Sequence, residues 1–401
     1  MPVLFLKRRF INYLQEFIHD SRAIGIILLV NTVLALALAN SPWGQSFLDA
    51  LHTEFGFLHH WHLPHSALHI INDGLMAVFF FLVGMEIKRE LLFGEMSSVK
   101  KAVLPIGAAI GGMLIPAVFY LLFNKGTMYQ NGWGVPTATD IAFSLGVASM
   151  LGSRFPVALK IFLTALAIID DLGAILVIAF FYGGSINGIY LLLAAFVMLL
   201  LYFMNRRKMP FGVLHILLGL FLWYFIFNSG IHSTIAGVLF AFMIPGKQLP
   251  ALEMKMHNPV NFFILPVFAL ANTAIVVNTG MIADAMHSTM SLGIMVGLVL
   301  GKPVGILLAC WLMVQKRVAR LPKNIGWFHI VGAGILAGIG FTMSIFITAL
   351  AFTNNADQQI GKIAILAAAL LSVLLAFFWF TNPWLKKLFQ QKEPAPLKKA
   401  A

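Results

Sequence analysis

Three aspartates and one lysine lie inside long apolar stretches of the sequence, where charged residues are rare: Asp140, Asp170, Asp171 and Lys302. A charge near the centre of a bilayer costs at least about 2.5–3.5 kcal/mol, so such residues usually pair with one another, face a polar cavity, or carry protons and ions. Ion pairs that only fix helix packing are the structural alternative. Three carboxylates against one ammonium, however, leave excess negative charge if all are ionised. The sequence therefore predicts a site that takes up cations or protons.

Asp170 and Asp171 are adjacent, so in a helix they point about 100° apart and cannot be equivalent. Two neighbouring carboxylates in a medium of low dielectric titrate as a coupled pair. Hard cations such as Na⁺ prefer oxygen ligands, as Mg²⁺ and Ca²⁺ do. We therefore expect a proton and a hard cation to compete for these carboxylates. Competition at one site that opens alternately to each side of a membrane is antiport.

The composition requires a membrane around these residues. The 401-residue chain is 60% hydrophobic and only 10% charged, whereas soluble domains carry roughly 25% charged residues. Because a transmembrane helix needs about 20 apolar residues, we predict a single all-α membrane domain, 1–401, with about twelve transmembrane helices. The predicted spans are 23–40, 66–87, 102–123, 130–150, 157–182, 188–204, 211–227, 231–245, 258–277, 291–314, 329–352 and 361–384.

Lys and Arg alternate between the two sides of this arrangement. With the N-terminus in the cytoplasm, nearly all of them fall in cytoplasmic segments and only Lys125 and Lys362 are external, so both termini are predicted to be cytoplasmic. The formal net charge of +12 then reflects membrane topology and predicts no nucleic-acid partner. Residues 1–22 are interpreted as a cytoplasmic amphipathic segment, although a secretory signal is the alternative. Residues 385–401 are interpreted as a basic cytoplasmic tail.

Glycine and proline interrupt two of the predicted spans, the fourth between Gly132 and Asp140 and the eleventh between Gly332 and Ser344. Irregular backbone at membrane depth is tolerated only where it lines a cavity or is buried in protein. Because the two spans run in opposite directions, they predict inverted-topology repeats whose broken helices cross at the midplane. Asp140 and Lys302 could offset the partial charges of the broken ends. Close glycine packing is the alternative.

Seven stretches, in order along nearly the whole chain, carry a resemblance to a known family. They are Asn72 to Phe80 (NDGLMAVFF), Gly84 to Glu90 (GMEIKRE), Pro136 to Phe143 (PTATDIAF), Ala165 to Gly173 (ALAIIDDLG), Ser229 to Gly237 (SGIHSTIAG), Gly301 to Gly305 (GKPVG) and Gly338 to Ser344 (GIGFTMS). In these residues the chain resembles the NhaA family of bacterial Na⁺/H⁺ antiporters, which are multi-pass proteins of the inner membrane.

The resemblance implies a role for each intramembrane charge. Asp171 would be the central ligand of Na⁺ or Li⁺, with Asp170 and Thr139 beside it. Asp170 and Lys302 would pair in the proton-loaded, inward-facing state, and Asp140 and Lys302 would balance the helix dipoles. The family exchanges one Na⁺ or Li⁺ for two protons without a cofactor. The net charge moved is worth about 2.3 kcal/mol per 100 mV of membrane potential. Whether the second proton resides on Lys302 or on Asp170 stays open.

Family members are also inactivated at acid pH by a cytoplasmic cluster, and the resemblance implies matching residues here: Glu86, Arg89, Glu90, Glu253 and His257. Glu253 and His257 are four residues apart, so they can share a helical face. His titrates near neutral pH. Met254 replaces a second histidine found in some members, and Asn258 separates His257 from the following proline. Ordinary surface charges at helix ends are the alternative.

The connection 41–64 is the longest predicted external loop. The resemblance implies that it forms a β-hairpin, fitted by length to 45–58, that contacts a second copy in a homodimer. The loop also contains a histidine group: His52, His59, His60, His62 and His65. These side chains could bind a transition metal or could simply be solvated.

Other classes of membrane protein fit these residues less well. An intramembrane aspartyl protease also needs two embedded aspartates that share a proton, but here Asp140 follows Thr139 and Asp170 follows Ile169, which does not match the Tyr-Asp and Gly-x-Gly-Asp motifs of those enzymes. A bile-acid-type sodium symporter has similar repeats but needs neither the aspartate pair nor Lys302. A channel does not explain an embedded lysine.

Overall fold

A computed structural model describes residues 21–390, and nearly all of the predicted N-terminal segment 1–22 and most of the tail 385–401 lie outside that range. The principal helices are α1 Ser21–Ala39, α2 Gly44–His52, α3 Gly56–His60, α4 Ala67–Phe93, α5 Val99–Asn124, α6 Ile141–Met150, α7 Val157–Phe181, α8 Gly188–Arg206, α9 Val213–Phe227, α10 Thr234–Met243, α11 Leu249–Pro259, α12 Leu265–Asn272, α13 Thr279–His287, α14 Thr289–Gln315, α15 Trp327–Ala337, α16 Phe341–Ala351, α17 Asn355–Thr381 and α18 Pro383–Gln390. The described part of the chain contains no β-strand, so the predicted all-α class is confirmed.

Seven of these helices are long and apolar enough to cross a membrane, and the pair α15 and α16, bent by 47°, makes eight if it counts as one span. Three further predicted spans correspond to the shorter apolar helices α6, α9 and α10. Large apolar side chains on the outer helices are exposed, among them Leu192, Phe196 and Leu220. Such a surface is suited to lipid. The multi-pass membrane fold is therefore confirmed, whereas the count of twelve stays a prediction.

The predicted hairpin at 45–58 is wrong. Residues 44–52 and 56–60 are helical, and the sole β-type pairing in the described residues is one antiparallel bridge between Glu54 and Ser66. The physical reason lies in the sequence from Gln45 to His52, which lacks the period-two alternation of a strand. The dimer contact that this loop was expected to make stays a prediction.

The last long helix begins earlier than expected, which moves Lys362 out of the external connection. The Asn354 side chain accepts a hydrogen bond from the backbone N–H of Ala356 at 3.0 Å and caps α17 at its first turn. Lys362 therefore lies inside α17 and is buried. Its placement on the external side of the membrane stays a prediction.

Helices α5 and α14 pack backbone to backbone, and this contact positions the embedded lysine. A Cβ atom on Gly305 would lie 2.1 Å from the carbonyl oxygen of Gly111, and one on Gly111 would lie 2.3 Å from that of Gly305. Small residues permit such close approach of membrane helices. A π-helical turn, Gly297–Gly301, immediately precedes Lys302 near the middle of α14, and π-turns inside helices are frequent at functional sites.

Candidate ion-binding site

The two interrupted segments meet at their breaks, as the sequence predicted. Helical structure stops after Thr137 in the first segment and after Ala337 in the second, and resumes with α6 and α16. The backbone N–H of Asp140 donates to the carbonyl of Ile339 at 2.8 Å, and the Ser344 hydroxyl donates to the carbonyl of Val135 at 2.8 Å. Backbone groups freed by each break are thus partly satisfied by the other segment, which is what burial at membrane depth requires.

Asp140 connects the N-termini of both resumed helices. Its Oδ1 accepts a hydrogen bond from the backbone N–H of Phe143 at 2.8 Å, which makes it the N-cap of α6. Its Oδ2 accepts from the backbone N–H of Thr342 at 3.1 Å and from the Thr342 hydroxyl. A carboxylate is favourable at the partly positive N-terminus of a helix. One buried carboxylate therefore holds two such ends together.

Lys302 and Asp170 form a fully buried ion pair. The lysine Nζ lies 2.5 Å from Asp170 Oδ2, and both side chains have no exposed surface. The same ammonium donates to the Thr139 hydroxyl at 2.9 Å, and that hydroxyl donates to the carbonyl of Ala337 at 2.8 Å. Lys302 thereby reaches the partly negative C-terminal end of α15 through Thr139.

Asp171 has no such partner and lines a cavity instead. Its Oδ1 is buried and accepts no hydrogen bond from the described part of the protein. The cavity of about 300 Å³ is lined along one face of α7 by Thr164, Ile168 and Asp171, and across from it by Asp140 and Thr342. This spacing in α7 is the i, i+4, i+7 pattern of one helical face. The helix thus directs two adjacent aspartates to different surroundings.

Five charged residues cluster at the other end of this cavity. Arg89 Nε donates to both carboxylate oxygens of Glu253 at 3.0 Å, and its Nη1 lies 2.9 Å from Glu90 Oε1. His257 Nε2 lies 3.5 Å from Glu253 Oε1 and 3.6 Å from Glu86 Oε1. The interaction with Glu253, supported by the negative charge of Glu86, raises the pKa of His257 above its usual value.

All the residues singled out from the sequence therefore fall into two groups joined by one cavity. The first group is Asp140, Asp170, Asp171, Thr139 and Lys302, and the second is Glu86, Arg89, Glu90, Glu253 and His257. Asp170 and Thr139 both contact Lys302, and the pairing of Asp170 with Lys302 is the one that the resemblance implies for the proton-loaded state. Among the described side chains, His52, His60, His62 and His65 do not take part in any three-residue metal-ligand cluster.

Two further polar residues received no role from the sequence. Thr342 bonds to Asp140, and the only sequence feature that distinguishes it is its position close to the glycines that interrupt the eleventh predicted span. Asp73 accepts a hydrogen bond from the Ser233 hydroxyl at 2.7 Å and lies 3.5 Å from His232 Nε2. Asp73 lies inside the predicted span 66–87, and an acidic residue in a span is the sequence signal that could have indicated this second polar cluster.

The fold and the site together define a multi-pass membrane protein with buried charged residues where two interrupted helices meet. The sequence profile of the family described as Na⁺/H⁺ antiporter 1 matches residues 15–380. The protein belongs to this family, and is thus a transporter by descent.

Similar curated proteins cover nearly the whole chain. Na(+)/H(+) antiporter NhaA of Dechloromonas aromatica is 48% identical over 389 residues, which cover 94% of this chain and 96% of that protein. Na(+)/H(+) antiporter NhaA of Cytophaga hutchinsonii is 45% identical over 371 residues, or 91% and 94% of the two chains. The protein of the same name from Shewanella frigidimarina is 46% identical over 383 residues, or 92% and 96%.

Proposed function

We propose that the protein is an electrogenic antiporter that exports Na⁺ or Li⁺ from the cytoplasm in exchange for protons, at about two protons per cation, and so contributes to sodium and pH homeostasis. The observation that carries the proposal is the division of labour between Asp170 and Asp171. The Asp170 carboxylate is paired with Lys302, while Asp171 lines the cavity and its Oδ1 has no hydrogen-bond donor among the described residues.

The exchange follows from competition between a proton and a cation at these two carboxylates. A cation in the cavity meets Asp171 first, and it needs further oxygen ligands because hard cations prefer several. Asp170 and Thr139 supply them once Asp170 leaves Lys302. A proton on Asp171 and the ammonium on Lys302 neutralise the same carboxylates when the cation is absent. Each arrangement therefore excludes the other.

The charged cluster at the far end of the cavity is proposed as the pH regulator. The cavity contains Glu86, Arg89, Glu253 and His257 at the end assigned to the cytoplasm by the distribution of Lys and Arg. His257 carries charge at acid pH and loses it as pH rises, which changes its attraction to both glutamates. A cation on its way to Asp171 passes this cluster, so the protonation state of His257 controls the access of the cation to Asp171.

The localisation, the topology and the oligomeric state of the protein are a further part of the proposal. We propose that it lies in the bacterial inner membrane with both termini in the cytoplasm, and that it forms a homodimer. Blue-native electrophoresis of the membrane-extracted protein, together with cysteine accessibility at the two termini in whole cells, tests these statements.

The antiport itself is tested in proteoliposomes that carry an imposed pH gradient. Added Na⁺ or Li⁺ should collapse the gradient, and K⁺ should not. A valinomycin-clamped potential should change the rate if net charge moves. A gradient that Na⁺ leaves unchanged, with protein shown to be inserted and folded, contradicts the proposal.

A further inference from the structure

Three potential metal ligands converge at the mouth of the cavity that leads to Asp171. One ligand atom each of Glu86, Glu253 and His257 can be chosen so that all three lie within 4.8 Å of one another. They come from two helices, α4 and α11, and the i, i+4 spacing within α11 places Glu253 and His257 on one face. Glu253 is almost completely buried, whereas His257 is 39% exposed and reachable from the cavity.

The two separations that involve His257 are close to those of ligands around one small cation, and the two glutamate oxygens lie within 4.8 Å of each other. Zinc binds imidazole nitrogen and carboxylate oxygen at about 2.0–2.2 Å in tetrahedral geometry, which places neighbouring ligand atoms roughly 3.4 Å apart. His257 Nε2 lies 3.6 Å from Glu86 Oε1 and 3.5 Å from Glu253 Oε1. Both distances exceed those of a good hydrogen bond. A cation could thus be accommodated with only small side-chain rotations.

The charge around the trio also favours a divalent cation. Glu86, Glu253 and Glu90 stand against the single guanidinium of Arg89. The adjacent Lys88 is hydrogen-bonded to the backbone carbonyls of Phe242 and Ile244. The contacts around the trio therefore carry two net negative charges when the three glutamates are ionised and His257 is neutral.

We propose that Glu86, Glu253 and His257 bind a divalent transition cation such as Zn²⁺, with water in the fourth position, and that the bound cation inhibits transport. One imidazole and two carboxylates are a donor set that zinc accepts. The same trio lines the cavity that ends at Asp171, so a divalent ion held there obstructs the passage and repels an approaching Na⁺. The inhibition rests on the proposed antiport, whereas the binding does not.

Binding is measured first, on purified full-length protein in detergent with any polyhistidine tag removed and residual metal chelated. Isothermal titration with zinc chloride should give one site per chain. Cobalt chloride should give the intense visible absorption of a four-coordinate Co²⁺ centre. Mutating a residue that only supports a metal ligand costs about 10–100-fold in affinity. Glu86→Gln and His257→Ala remove ligands themselves, so each should weaken zinc binding by roughly 100-fold or more.

Matched controls come from the same chain. Glu90→Gln removes an acid of α4 that contacts Arg89 but is outside the trio, and His287→Ala removes an exposed histidine at the end of α13. His287→Ala should leave the zinc affinity within about twofold. Glu90→Gln removes a nearby charge but no ligand, so it should weaken zinc binding by less than about tenfold, below the effect of losing a ligand. His257→Cys, which replaces one zinc ligand with another, should keep a four-coordinate cobalt spectrum with added sulfur-to-metal absorption. This variant covers the case in which His257→Ala fails to fold.

Transport supplies the second measurement, with inhibition expressed relative to each variant's own rate without zinc. Zinc should inhibit the wild type and the two controls, and Glu86→Gln should resist it. Absence of a single zinc site in the titration, or equal affinity in Glu86→Gln and Glu90→Gln, overturns the metal site and leaves the antiport proposal standing. Intact zinc binding in a protein that exchanges no Na⁺ overturns the antiport proposal alone. Zinc bound without inhibition in an active protein overturns the regulatory role.

Discussion

The charged residues at the centre of the molecule and those at the mouth of its cavity differ in the partners that their carboxylates have. At the mouth, each of the carboxylates Glu86, Glu90 and Glu253 contacts Arg89 or His257. At the centre, Lys302 pairs with Asp170, whereas the adjacent Asp171 has no ion-pair partner and its Oδ1 has no donor among the described residues. At the mouth, every carboxylate therefore has a contact within the protein, and the contact of Glu86 is ionic only while His257 is protonated. The centre is incomplete and needs a proton or a cation, which explains why the central group carries the proposed exchange.

The largest effect is expected from the two central aspartates, whose different surroundings should give different losses. Asp171→Asn removes the carboxylate that faces the cavity, and Na⁺-driven proton movement should fall by at least about 100-fold, or about 2.7 kcal/mol. Asp170→Asn removes the partner of Lys302 and should also raise the apparent KM for Na⁺. Rates in proteoliposomes measure both. Exchange that survives in Asp171→Asn at the wild-type rate would remove Asp171 from the cation site.

A large loss of stability is expected when the central ion pair is broken on one side. Lys302→Met leaves Asp170 buried without its cation, and removing one partner of a buried pair costs about 3–5 kcal/mol. The double variant Asp170→Asn with Lys302→Met should recover most of that loss. Thermal unfolding in detergent, at a pH where carboxylates ionise, measures the difference. Equal melting temperatures for wild type and Lys302→Met would show that the pair does not stabilise the fold.

A smaller loss is expected at the crossing of the broken helices. Thr342→Val keeps the volume of the side chain but removes the hydroxyl that donates to Asp140. The backbone N–H of the same residue still donates to that carboxylate, so the expected cost is about 1–3 kcal/mol. Ser372→Ala, at a buried hydroxyl without a partner in the described structure, is the control. Thermal unfolding of both variants compares them, and a loss no larger than that of the control would contradict the capping role.

The smallest effect is expected at the mouth, where pH acts on His257. Its pKa is raised above 6.5 by Glu253 and Glu86. The stabilisation from the protonated form is therefore fully present below pH 6.5 and is lost as pH rises through the higher folded value. Among the groups around it, Glu86, Arg89, Glu90 and Glu253 all contribute charge. His257→Ala should lose melting temperature only at acid pH and should start to transport at lower pH.

The pH profile of transport by His257→Ala in proteoliposomes, with His287→Ala as the control, measures this shift. An unchanged profile would remove His257 from the regulator while leaving the central site untouched.

The central group is more fully predictable from the sequence than the mouth or the loops, and the reason is physical. A charge inside an apolar run is conspicuous, so the amino-acid pattern alone distinguishes Asp140, Asp171 and Lys302. Asp73 lies in such a run too, yet no role was predicted for it. The hairpin in the long connection 41–64 was fitted by length alone, although the segment from Gln45 to His52 lacks the period-two alternation of a strand.

Pairing between distant residues was also beyond the sequence. Nothing in the local pattern shows that Thr342 completes the coordination of Asp140, or that Lys88 turns to backbone carbonyls while Arg89 turns to Glu253. Helical periodicity indicates which face a residue occupies, whereas its partner is decided by packing between helices far apart in the chain. Asn354 caps α17, so the helix begins early enough to include Lys362. This cap is a local signal that a hydropathy pattern does not show.

The central claim is that a cation and protons compete for the same carboxylates, and calorimetry of Na⁺ binding tests it without transport. Titrations of purified protein in buffers of different ionisation enthalpy, at one pH, give the number of protons released for each Na⁺ bound. We predict proton release in the wild type and in Glu90→Gln, and no Na⁺ binding in Asp171→Asn. Na⁺ that binds the wild type with no release of protons at any pH would contradict the account.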